Sequence, residues 1–162
     1  MKAQKVILLM GGNQGRVNEV LDKAINQIHT TTGKVITRSM LYKTKAWGPV
    51  AQPDFLNVAV LMETYLTPQL LLKRLLDIEQ KAGRRRDVKY GPRTLDIDIL
   101  FYGNSVIRQP QLQIPHPEIP NRRFVLVPLA EILPNLEHPV LKKTIDNLLN
   151  DCQDTLEVNV WP

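Results

Sequence analysis

The chain has 162 residues, of which 43% are hydrophobic and 23% charged, and its formal net charge is +5. This length and composition predict one domain, residues 1–162, with a complete hydrophobic core and no need for a second domain. No apolar run is long enough to span a bilayer, which excludes a membrane protein and favours an unexported one. A single cysteine, Cys152, excludes an internal disulfide and a cysteine-based zinc site, and fits a reducing cytoplasm.

The N-terminal part begins as a strand followed by a helix. Residues 5–10 predict a short buried strand, and the glycine-rich residues 11–15 predict a turn. Apolar residues then recur at helical spacing over 17–28, and the pattern stops before Gly33. The turn fits neither a dinucleotide fingerprint nor a P-loop. It is therefore either a tight strand-to-helix connection or a backbone contact with a ligand.

The next segments predict two strands around a long loop. Residues 34–44 are rich in β-branched side chains and predict one strand. Residues 45–53 are interrupted by prolines and carry Trp47, so they predict a long loop that is either a lid or a wall of a site. Residues 55–63 predict a strand with an apolar face formed by Leu56, Val58, Val60 and Met62 and a second face formed by Phe55, Asn57 and Ala59.

A helix and a cationic segment follow. Thr67 and Pro68 are typical of a helix start, and Leu71, Leu75, Ile78 and Ala82 form its apolar stripe. Glu79 lies near the helix C-terminus, where a carboxylate is unfavourable, so it needs a partner such as the arginines that follow. Residues 84–93 hold five Lys and Arg residues against Asp87, a net +4.

The segment after this cationic stretch carries the strongest functional pattern. Residues 95–101 alternate Leu95, Ile97, Ile99 and Phe101 with two aspartates, which predicts a strand with one buried face. Asp96 and Asp98 then project from the other face, with α-carbons about 6.5 to 7 Å apart. Each pattern taken alone fits a solvated surface, but their adjacency predicts a metal-nucleotide site.

The remaining segments complete the predicted fold. Residues 105–107 predict a hairpin return, and residues 114–124, with three prolines, predict an ordered loop presenting His116, Arg122 and Phe124. His116 is either a structural hydrogen-bonding residue or a nucleotide contact. Residues 125–133 predict a helix opened by Pro128, residues 144–150 another, and residues 156–160 a last strand. This order predicts an α+β fold, a ferredoxin-like split βαβ core with a mainly antiparallel sheet and flanking helices.

Several segments together resemble one enzyme family. They are Gly-Gly-Asn at 11–13, Gln-Pro-Asp-Phe-Leu-Asn at 52–57, Gly-Arg-Arg-Arg at 83–86, Gly-Pro-Arg-Thr-Leu-Asp-Ile-Asp-Ile at 91–99, and Pro-His-Pro at 115–117 with Arg122 and Phe124. In order and spacing they are similar to the hydroxymethyl-dihydropterin pyrophosphokinases of folate biosynthesis. The resemblance covers about residues 6–134. It implies transfer of the diphosphoryl group of ATP to the hydroxymethyl group of 6-hydroxymethyl-7,8-dihydropterin, with release of AMP.

The resemblance also implies roles for residues on the ATP side. Asp96 and Asp98 match the ligands of two Mg²⁺ ions, and both are implied to be catalytic. Phosphate contacts that are also catalytic are implied at Arg84, Arg86 and Arg93. Further nucleotide contacts are implied at Glu79, Lys89, Ile99, His116 and Arg122.

On the pterin side, the resemblance implies that Phe55 and Phe124 stack on the ring and that Asn57 and Asp96 bind its polar groups. Thr44 and Trp47 correspond to the loop that closes the pocket. The chain departs from the family pattern where Lys89-Tyr90 replaces Arg-Trp and where Gln111 replaces a basic residue. Lys89 keeps the charge but lacks the bidentate guanidinium.

One competing class is an RNA-binding module on the same scaffold, since a basic loop and strand-borne aromatics are its ingredients. Aromatic residues are only 6% of the chain, and the aromatic RNA-binding signature is absent from it. Two aspartates on the open face would also repel a phosphate backbone. We therefore expect a cytoplasmic monomer that binds the two small substrates and neither nucleic acid nor membrane.

Overall fold

The computed structural model describes residues 2–46, 48–49, 51–83 and 94–162. Within these ranges the chain forms, in order, the following elements. They are β1 (Gln4–Gly12), α1 (Val17–Thr31), β2 (Lys34–Arg38), β3 (Tyr42–Thr44), β4 (Phe55–Thr64), α2 (Pro68–Lys81), β5 (Asp96–Tyr102), β6 (Ile107–Gln109), β7 (Leu112–Ile114), a 3₁₀ helix (Ile119–Asn121), α3 (Arg123–Ile132), α4 (Ile145–Asp151) and β8 (Val158–Val160).

The main sheet has the strand order β5-β1-β4-β3-β8, with β2 also paired to β4. Every pairing in it is antiparallel. The two central strands β1 and β4 pair along their whole length, from Gln4 opposite Thr64 to Gly12 opposite Leu56. This confirms the predicted α+β class, with the strand order of a split βαβ core.

Each face of the sheet is covered by its own pair of helices. Alternation along β1 sends Val6, Leu8 and Met10 into the core with α1 and α2, and Ile7 and Leu9 into the core with α3 and α4. The second face is covered at one end only. Gly11, Asn57 and Asp96, which follow on that face, border a cavity instead. In the described part of the chain, no helix is long and apolar enough to cross a membrane.

The prediction of one strand over 34–44 was wrong, because the segment is divided into β2 and β3. Both pair with the same side of β4. At the break, the hydroxyl of Ser39 accepts a hydrogen bond from the backbone N–H of Ala59 at 2.9 Å and donates to the carbonyl of Met40 at 2.7 Å. A side chain thus replaces one ladder bond, which periodicity alone does not reveal.

The predicted turn at residues 11–15 begins later than expected. β1 continues through Gly11 and Gly12, which pair with β4, and Gly11 also lies opposite Asp96 of β5. A Cβ at Gly11 would collide with the Asn57 amide and lie 2.8 Å from the Leu56 carbonyl oxygen. Glycine is therefore required here by close packing within the sheet.

Residues 95–101 were predicted to bury one set of apolar side chains on one face. The prediction is confirmed for Leu95, Ile97 and Ile99, which lie in one core. It was wrong for Phe101, which lies in the other core. The register of β1 and β5 shifts between Ile7 and Leu8, so that Phe101 is opposite Ile7 and Ile99 opposite Leu8. The extra residue reverses the alternation from there on.

Three predictions after β5 also need correction. Residues 105–107 do not return along β5, since Ile107 begins the separate β6-β7 hairpin. The predicted loop 114–124 contains a 3₁₀ helix, and its last residues belong to α3. Pro128 lies inside α3 rather than at its start. Because proline has no N–H, Pro128 cannot donate the helical hydrogen bond to the Phe124 carbonyl.

The other predicted helices agree with the structure. Thr67 accepts a hydrogen bond from the Leu70 N–H at 3.3 Å and caps α2, with Pro68 at the first position. Thr144 caps α4 in the same way through the Asn147 N–H. The last strand, predicted over 156–160, is shorter, and pairs through Val158–Val160 with β3.

Candidate active site

A cavity of about 100 Å³ lies where the second face of the sheet is left uncovered by helices. It gathers residues from β1, β3, β4, β5 and the start of α3. The residues lining it are Leu9, Gly11, Thr44, Lys45, Phe55, Asn57, Asp96, Asp98, Phe124 and Leu156. Every described residue to which the sequence assigned a pterin role is in this set.

A second cavity, of about 250 Å³, lies beside the edge of β5 that pairs with no other strand in the described part of the chain. It is lined by Leu72, Ile97, Asp98, Ile99, Pro110, Gln111, Leu112, Gln113, His116 and Pro117. Ile99 and His116, two of the residues with an implied ATP role, meet here. Asp98 lines both cavities. One carboxylate thus stands between a small cavity with two aromatic side chains and a larger cavity at the sheet edge.

The two aspartates are held in place through the residue between them. Asp96 pairs with Gly11 and Asp98 with Leu9, so both project from the face that carries the first cavity. Between them, the backbone N–H of Ile97 donates a hydrogen bond to Oε2 of Glu79 at 2.6 Å. Glu79 is only 2% exposed. Its buried carboxylate fixes the backbone of β5 between the two aspartates.

Asn57 is 7% exposed and lies on β4 in the wall of the first cavity. Its amide packs over the bare backbone of Gly11 on the neighbouring strand. Because Gly11 has no side chain, the amide of Asn57 can lie between β1 and the cavity. The cavity therefore has a carboxamide that can donate and accept hydrogen bonds beside the aromatic side chains of Phe55 and Phe124.

Asn13 ties the end of β1 to the loop that enters β4. Its amide nitrogen donates to Oε1 of Gln52 and to the carbonyl of Pro53, both at 2.9 Å. Asn13 is 3% exposed. This contact fixes the approach of the chain to Phe55, which is one wall of the first cavity.

The start of α3 presents an aromatic ring and a cation together. The guanidinium carbon of Arg122 lies 5.7 Å from the centroid of the Phe124 ring, and its Nε lies 3.3 Å from a carboxylate oxygen of Glu118. Stacking over a ring restricts the orientation of the guanidinium. The guanidinium group of Arg122 is thus held in one orientation next to the Phe124 ring, which borders the first cavity.

The surroundings of His116 favour the uncharged form of its ring. Burial lowers its pKa, and the nearby positive charge of Arg122 lowers it further, against a smaller opposing effect of Glu118. Its Nδ1 accepts a hydrogen bond from the Glu118 backbone N–H at 3.2 Å. The proton of the neutral ring therefore lies on Nε2, which makes Nε2 a hydrogen-bond donor.

Several predicted site residues lie outside the described ranges. They are Trp47, Arg84, Arg86, Lys89 and Arg93. The residues that flank the cationic segment are described and lie close together. A Cβ at Gly83 would lie 4.0 Å from the hydroxyl of Thr94, which is two residues before Asp96.

Four residues that line the first cavity were not predicted as site residues. Gly11 and Leu9 carried a partial signal, since a glycine directly after an apolar strand is compatible with a ligand contact. Lys45 lay in a predicted loop with no specific pattern. Leu156 lies 58 positions beyond Asp98 in the sequence, and no local pattern connects it with the site.

Known proteins resemble this chain over most of its length. A protein-family model described as 7,8-dihydro-6-hydroxymethylpterin-pyrophosphokinase (HPPK) matches residues 7–134. A Synechocystis protein named 2-amino-4-hydroxy-6-hydroxymethyldihydropteridine pyrophosphokinase is 46% identical over 154 residues, which are 94% of this chain and 77% of that protein. A Haemophilus influenzae protein of the same name is 47% identical over 117 residues, 72% of each chain.

Solved structures support the fold. The chain superposes on wild-type Plasmodium falciparum HPPK-DHPS with a TM-score of 0.74 at 20% identity, covering 93% of this chain and 41% of that one. Another HPPK-DHPS, solved in complex with substrates, gives 0.74 at 16% identity and 43% of its length. The chain thus spans less than half the length of these proteins.

The family match and the names of the relatives define a diphosphotransferase, an enzyme of the kinase class that uses ATP. The chain belongs to the 7,8-dihydro-6-hydroxymethylpterin-pyrophosphokinase family, whose members act in folate biosynthesis.

Proposed function

We propose that this chain transfers the diphosphoryl group of ATP to the hydroxymethyl oxygen of 6-hydroxymethyl-7,8-dihydropterin, and that the two cavities hold the two substrates. The observation that carries this proposal is the position of Asp98 in the walls of both cavities. A group transferred between two substrates must pass through the place where their sites meet. A carboxylate at that place can organise cations around the transferred phosphates.

The smaller cavity suits the pterin. Phe55 and Phe124 provide ring faces for stacking on a flat heterocycle. Asn57 and Asp96 supply donors and acceptors for its polar edge, and Thr44 lies at the rim with Trp47 three residues further along the chain. These are the roles that the family resemblance implies.

The larger cavity suits the nucleotide. Ile99 and Leu72 offer apolar surface for the adenine, while the Nε2–H of neutral His116 is a donor for phosphate or ribose oxygens. The family resemblance implies a basic residue at position 111, where this chain has Gln111, so an amide takes the place of a positive charge at the nucleotide rim. Arg122 does not line the larger cavity, but it lies against Phe124 and its charge acts on His116, so we assign its cation to the border of the nucleotide site.

Residues 84–93 supply the remaining positive charge. The segment carries +4 and joins the end of α2 to Thr94. Because its two flanks lie close together beside the β5 aspartates, we assign the charges of Arg84, Arg86, Lys89 and Arg93 to the ATP phosphates. Glu79 acts indirectly, because it accepts the hydrogen bond from the Ile97 N–H and so holds the backbone between the two aspartates.

Asp96 and Asp98 fit Mg²⁺ rather than a metal with a nitrogen or sulfur donor set. Both offer carboxylate oxygens on one face of β5. Among the described residues, no cluster of three or more His, Cys, Asp and Glu could enclose a metal. Mg²⁺ needs no such cluster, since one or two carboxylates with substrate phosphates and water usually suffice. When bound, two Mg²⁺ ions would neutralise the negative charge that spreads over the transferred phosphates.

The reaction then requires alignment more than covalent chemistry. The hydroxymethyl oxygen attacks the β-phosphorus of ATP and its proton passes to solvent water, while the bond from the β-phosphorus to the oxygen bridging it to the α-phosphate breaks and AMP leaves. The side chains of the smaller cavity hold the attacking oxygen near Asp98, and those of the larger cavity hold the leaving nucleotide. No protein nucleophile is needed, because positioning and charge neutralisation supply most of the catalysis in such transfers.

The test is product identity. The protein is incubated with ATP, Mg²⁺ and 6-hydroxymethyl-7,8-dihydropterin, and the products are separated and identified by mass. AMP and a pterin diphosphate are expected in equal amounts, with no turnover when Mg²⁺ is chelated. Formation of ADP and a pterin monophosphate would contradict diphosphoryl transfer. Binding of oligonucleotides without Mg²⁺, and absence of turnover, would instead favour the RNA-binding alternative.

We further propose that residues 1–162 form one domain that acts as a monomer in the cytoplasm. The C-terminal elements support the first point, since α4 packs in the core shared with α3 and the sheet. Sedimentation at micromolar concentration tests the monomeric state, and the mass of a dimer would contradict it.

A further inference from the structure

The C-terminal segment lies beyond the family match, which ends at residue 134, yet it reaches the smaller cavity. Leu156 lines that cavity together with Phe55, Asn57 and Phe124. It is half-buried, whereas its neighbours Thr155 and Glu157 are exposed. An apolar side chain directed away from solvent at this place adds a wall that the family match does not include.

Asp154 holds Leu156 and the start of α3 with one carboxylate. Its Oδ1 accepts from the backbone N–H of Leu156 at 2.9 Å, and its Oδ2 accepts from the backbone N–H of Arg123 at 3.0 Å. Arg123 is the first residue of α3, whose own N-cap, Arg122, provides no side-chain cap. Asp154 therefore caps α3 from a distant segment, where helix N–H groups and the helix dipole favour a carboxylate.

The segment is fixed on its other side as well. β8 pairs with β3, with Val158 opposite Thr44, and the Trp161 N–H donates to the Leu41 carbonyl at 2.8 Å. Thr44 itself lines the smaller cavity. Leu156 is thus held between a strand that carries Thr44 and a helix that carries Phe124, so its side chain has a defined position at the cavity.

We propose that Leu156 is an apolar wall of the pterin site that contributes to pterin affinity, and that Asp154 is a positioning residue that sets Leu156 and Phe124 relative to each other. This inference rests on the proposed function, because it takes the smaller cavity to be the pterin site. The physical basis is burial of apolar surface against a flat heterocycle. Truncating Leu156 leaves part of the ring exposed to water.

The test of Leu156 compares binding of the two substrates. Leu156→Ala is expected to weaken binding of 6-hydroxymethyl-7,8-dihydropterin about five- to tenfold, measured by calorimetry with Mg²⁺ and a non-hydrolysable ATP analogue present. Affinity for the analogue alone stays unchanged. Leu156→Met, which keeps the apolar volume, restores pterin affinity. Val160→Ala is the matched control, since Val160 lies in the same segment, is 45% exposed and is outside the smaller cavity.

The test of Asp154 uses two substitutions. Asp154→Ala removes both acceptors and is expected to raise KM for the pterin, with KM for ATP unchanged. Asp154→Asn keeps one acceptor oxygen and gives a smaller effect. If Asp154 acts through Leu156, the effects of Asp154→Ala and Leu156→Ala are less than multiplicative in the double variant. Asp151→Asn, an exposed aspartate paired with Lys143, is the control.

The outcomes separate this inference from the proposed function. A wild-type protein that forms no pterin diphosphate contradicts the proposed function. A wild-type protein that turns over, with Leu156→Ala binding the pterin as tightly as wild type, overturns the role of Leu156. Equal losses of pterin and ATP affinity in Asp154→Ala would indicate general destabilisation and overturn the positioning role. Should Leu156→Ala fail to fold, Leu156→Val gives the same comparison with a smaller expected loss, about two- to threefold.

Discussion

The carboxylate of Glu79 on α2 accepts a hydrogen bond from the backbone N–H of Ile97 on β5 at 2.6 Å. Ile97 lies between the two aspartates that border the cavities, and Glu79 is almost fully buried. A carboxylate near a helix C-terminus is unfavourable with the helix dipole. The charge-assisted bond to β5 offsets that cost and couples α2 to the strand that carries the catalytic candidates.

Glu79→Ala tests this coupling. It leaves the Ile97 N–H without its acceptor in a buried place, so we expect the free energy of unfolding to fall by about 1–3 kcal/mol. Turnover should fall by more than the loss of folded protein explains, because Asp96 and Asp98 lose their fixed separation. Glu79→Gln keeps an oxygen acceptor and should retain most of the stability. Urea unfolding and turnover of both variants are compared with Glu19→Gln, a change at an exposed glutamate. Wild-type turnover in a folded Glu79→Ala would contradict the support role.

Asp98→Asn and Asp96→Asn test the carboxylates themselves. Each keeps the side-chain shape and removes one charge, so metal binding and transition-state stabilisation should weaken, with the fold retained. We expect kcat to fall about a hundredfold or more, which corresponds to roughly 3 kcal/mol of lost stabilisation.

The two variants should differ in binding. Asp98 borders both cavities, whereas Asp96 borders only the smaller of the two. Asp98→Asn should therefore raise KM for ATP more than Asp96→Asn does. The measurement is turnover across a Mg²⁺ titration, with circular dichroism to monitor the fold. Asp77→Asn, on the exposed side of α2, is the control. Unchanged kcat at every Mg²⁺ concentration would remove the aspartates from the mechanism.

Gly11→Ala tests the contact between β1 and Asn57. The added Cβ would collide with the amide of Asn57 and approach the Leu56 carbonyl to 2.8 Å. The amide must move, so pterin affinity should fall about tenfold or more, while affinity for an ATP analogue changes little. Asn57→Ala should reduce pterin affinity without introducing the collision, at a cost of roughly 1–3 kcal/mol. An equal loss of affinity for the pterin and for the ATP analogue in Asn57→Ala would indicate that the role of Asn57 is structural.

The pH dependence of stability should reflect His138. Burial lowers its pKa, and its Nδ1 accepts from the N–H groups of Val140 and Leu141 at 3.2 and 3.0 Å. In the unfolded chain the pKa returns to about 6.5. Below that pH the unfolded state binds a proton that the folded state excludes, so stability is fully present above pH 6.5 and decreases as the pH falls.

His138→Asn separates this effect from that of His116, whose pKa is also lowered. The Oδ1 of asparagine can accept in place of Nδ1, but it does not titrate in this range. We therefore expect a smaller loss of unfolding free energy between pH 7 and pH 5 in the variant than in wild type. The slope attributable to one group is at most about 1.4 kcal/mol per pH unit. Identical slopes in denaturant titrations would exclude a contribution from His138.

The sequence determined much of the scaffold and most of the chemistry. Helical spacing and the Thr67 cap were sufficient for α1 and α2, since both signals are local. The alternation around Asp96 and Asp98 correctly placed both carboxylates on one face of β5. The sequence also assigned Phe55, Asn57 and Phe124 to one site through the family resemblance, and the structure brings all three to one cavity.

Only the tertiary structure decided which residues complete that cavity. The break at Ser39, the bulge that turns Phe101 and the start of α3 at Arg123 depend on hydrogen bonds to distant segments. Periodicity reports neighbours along the chain, but it carries no information about partners across a sheet. For the same reason the sequence could place Glu79 beside a cationic segment but not against Ile97, and it gave no sign that Leu156 reaches the site.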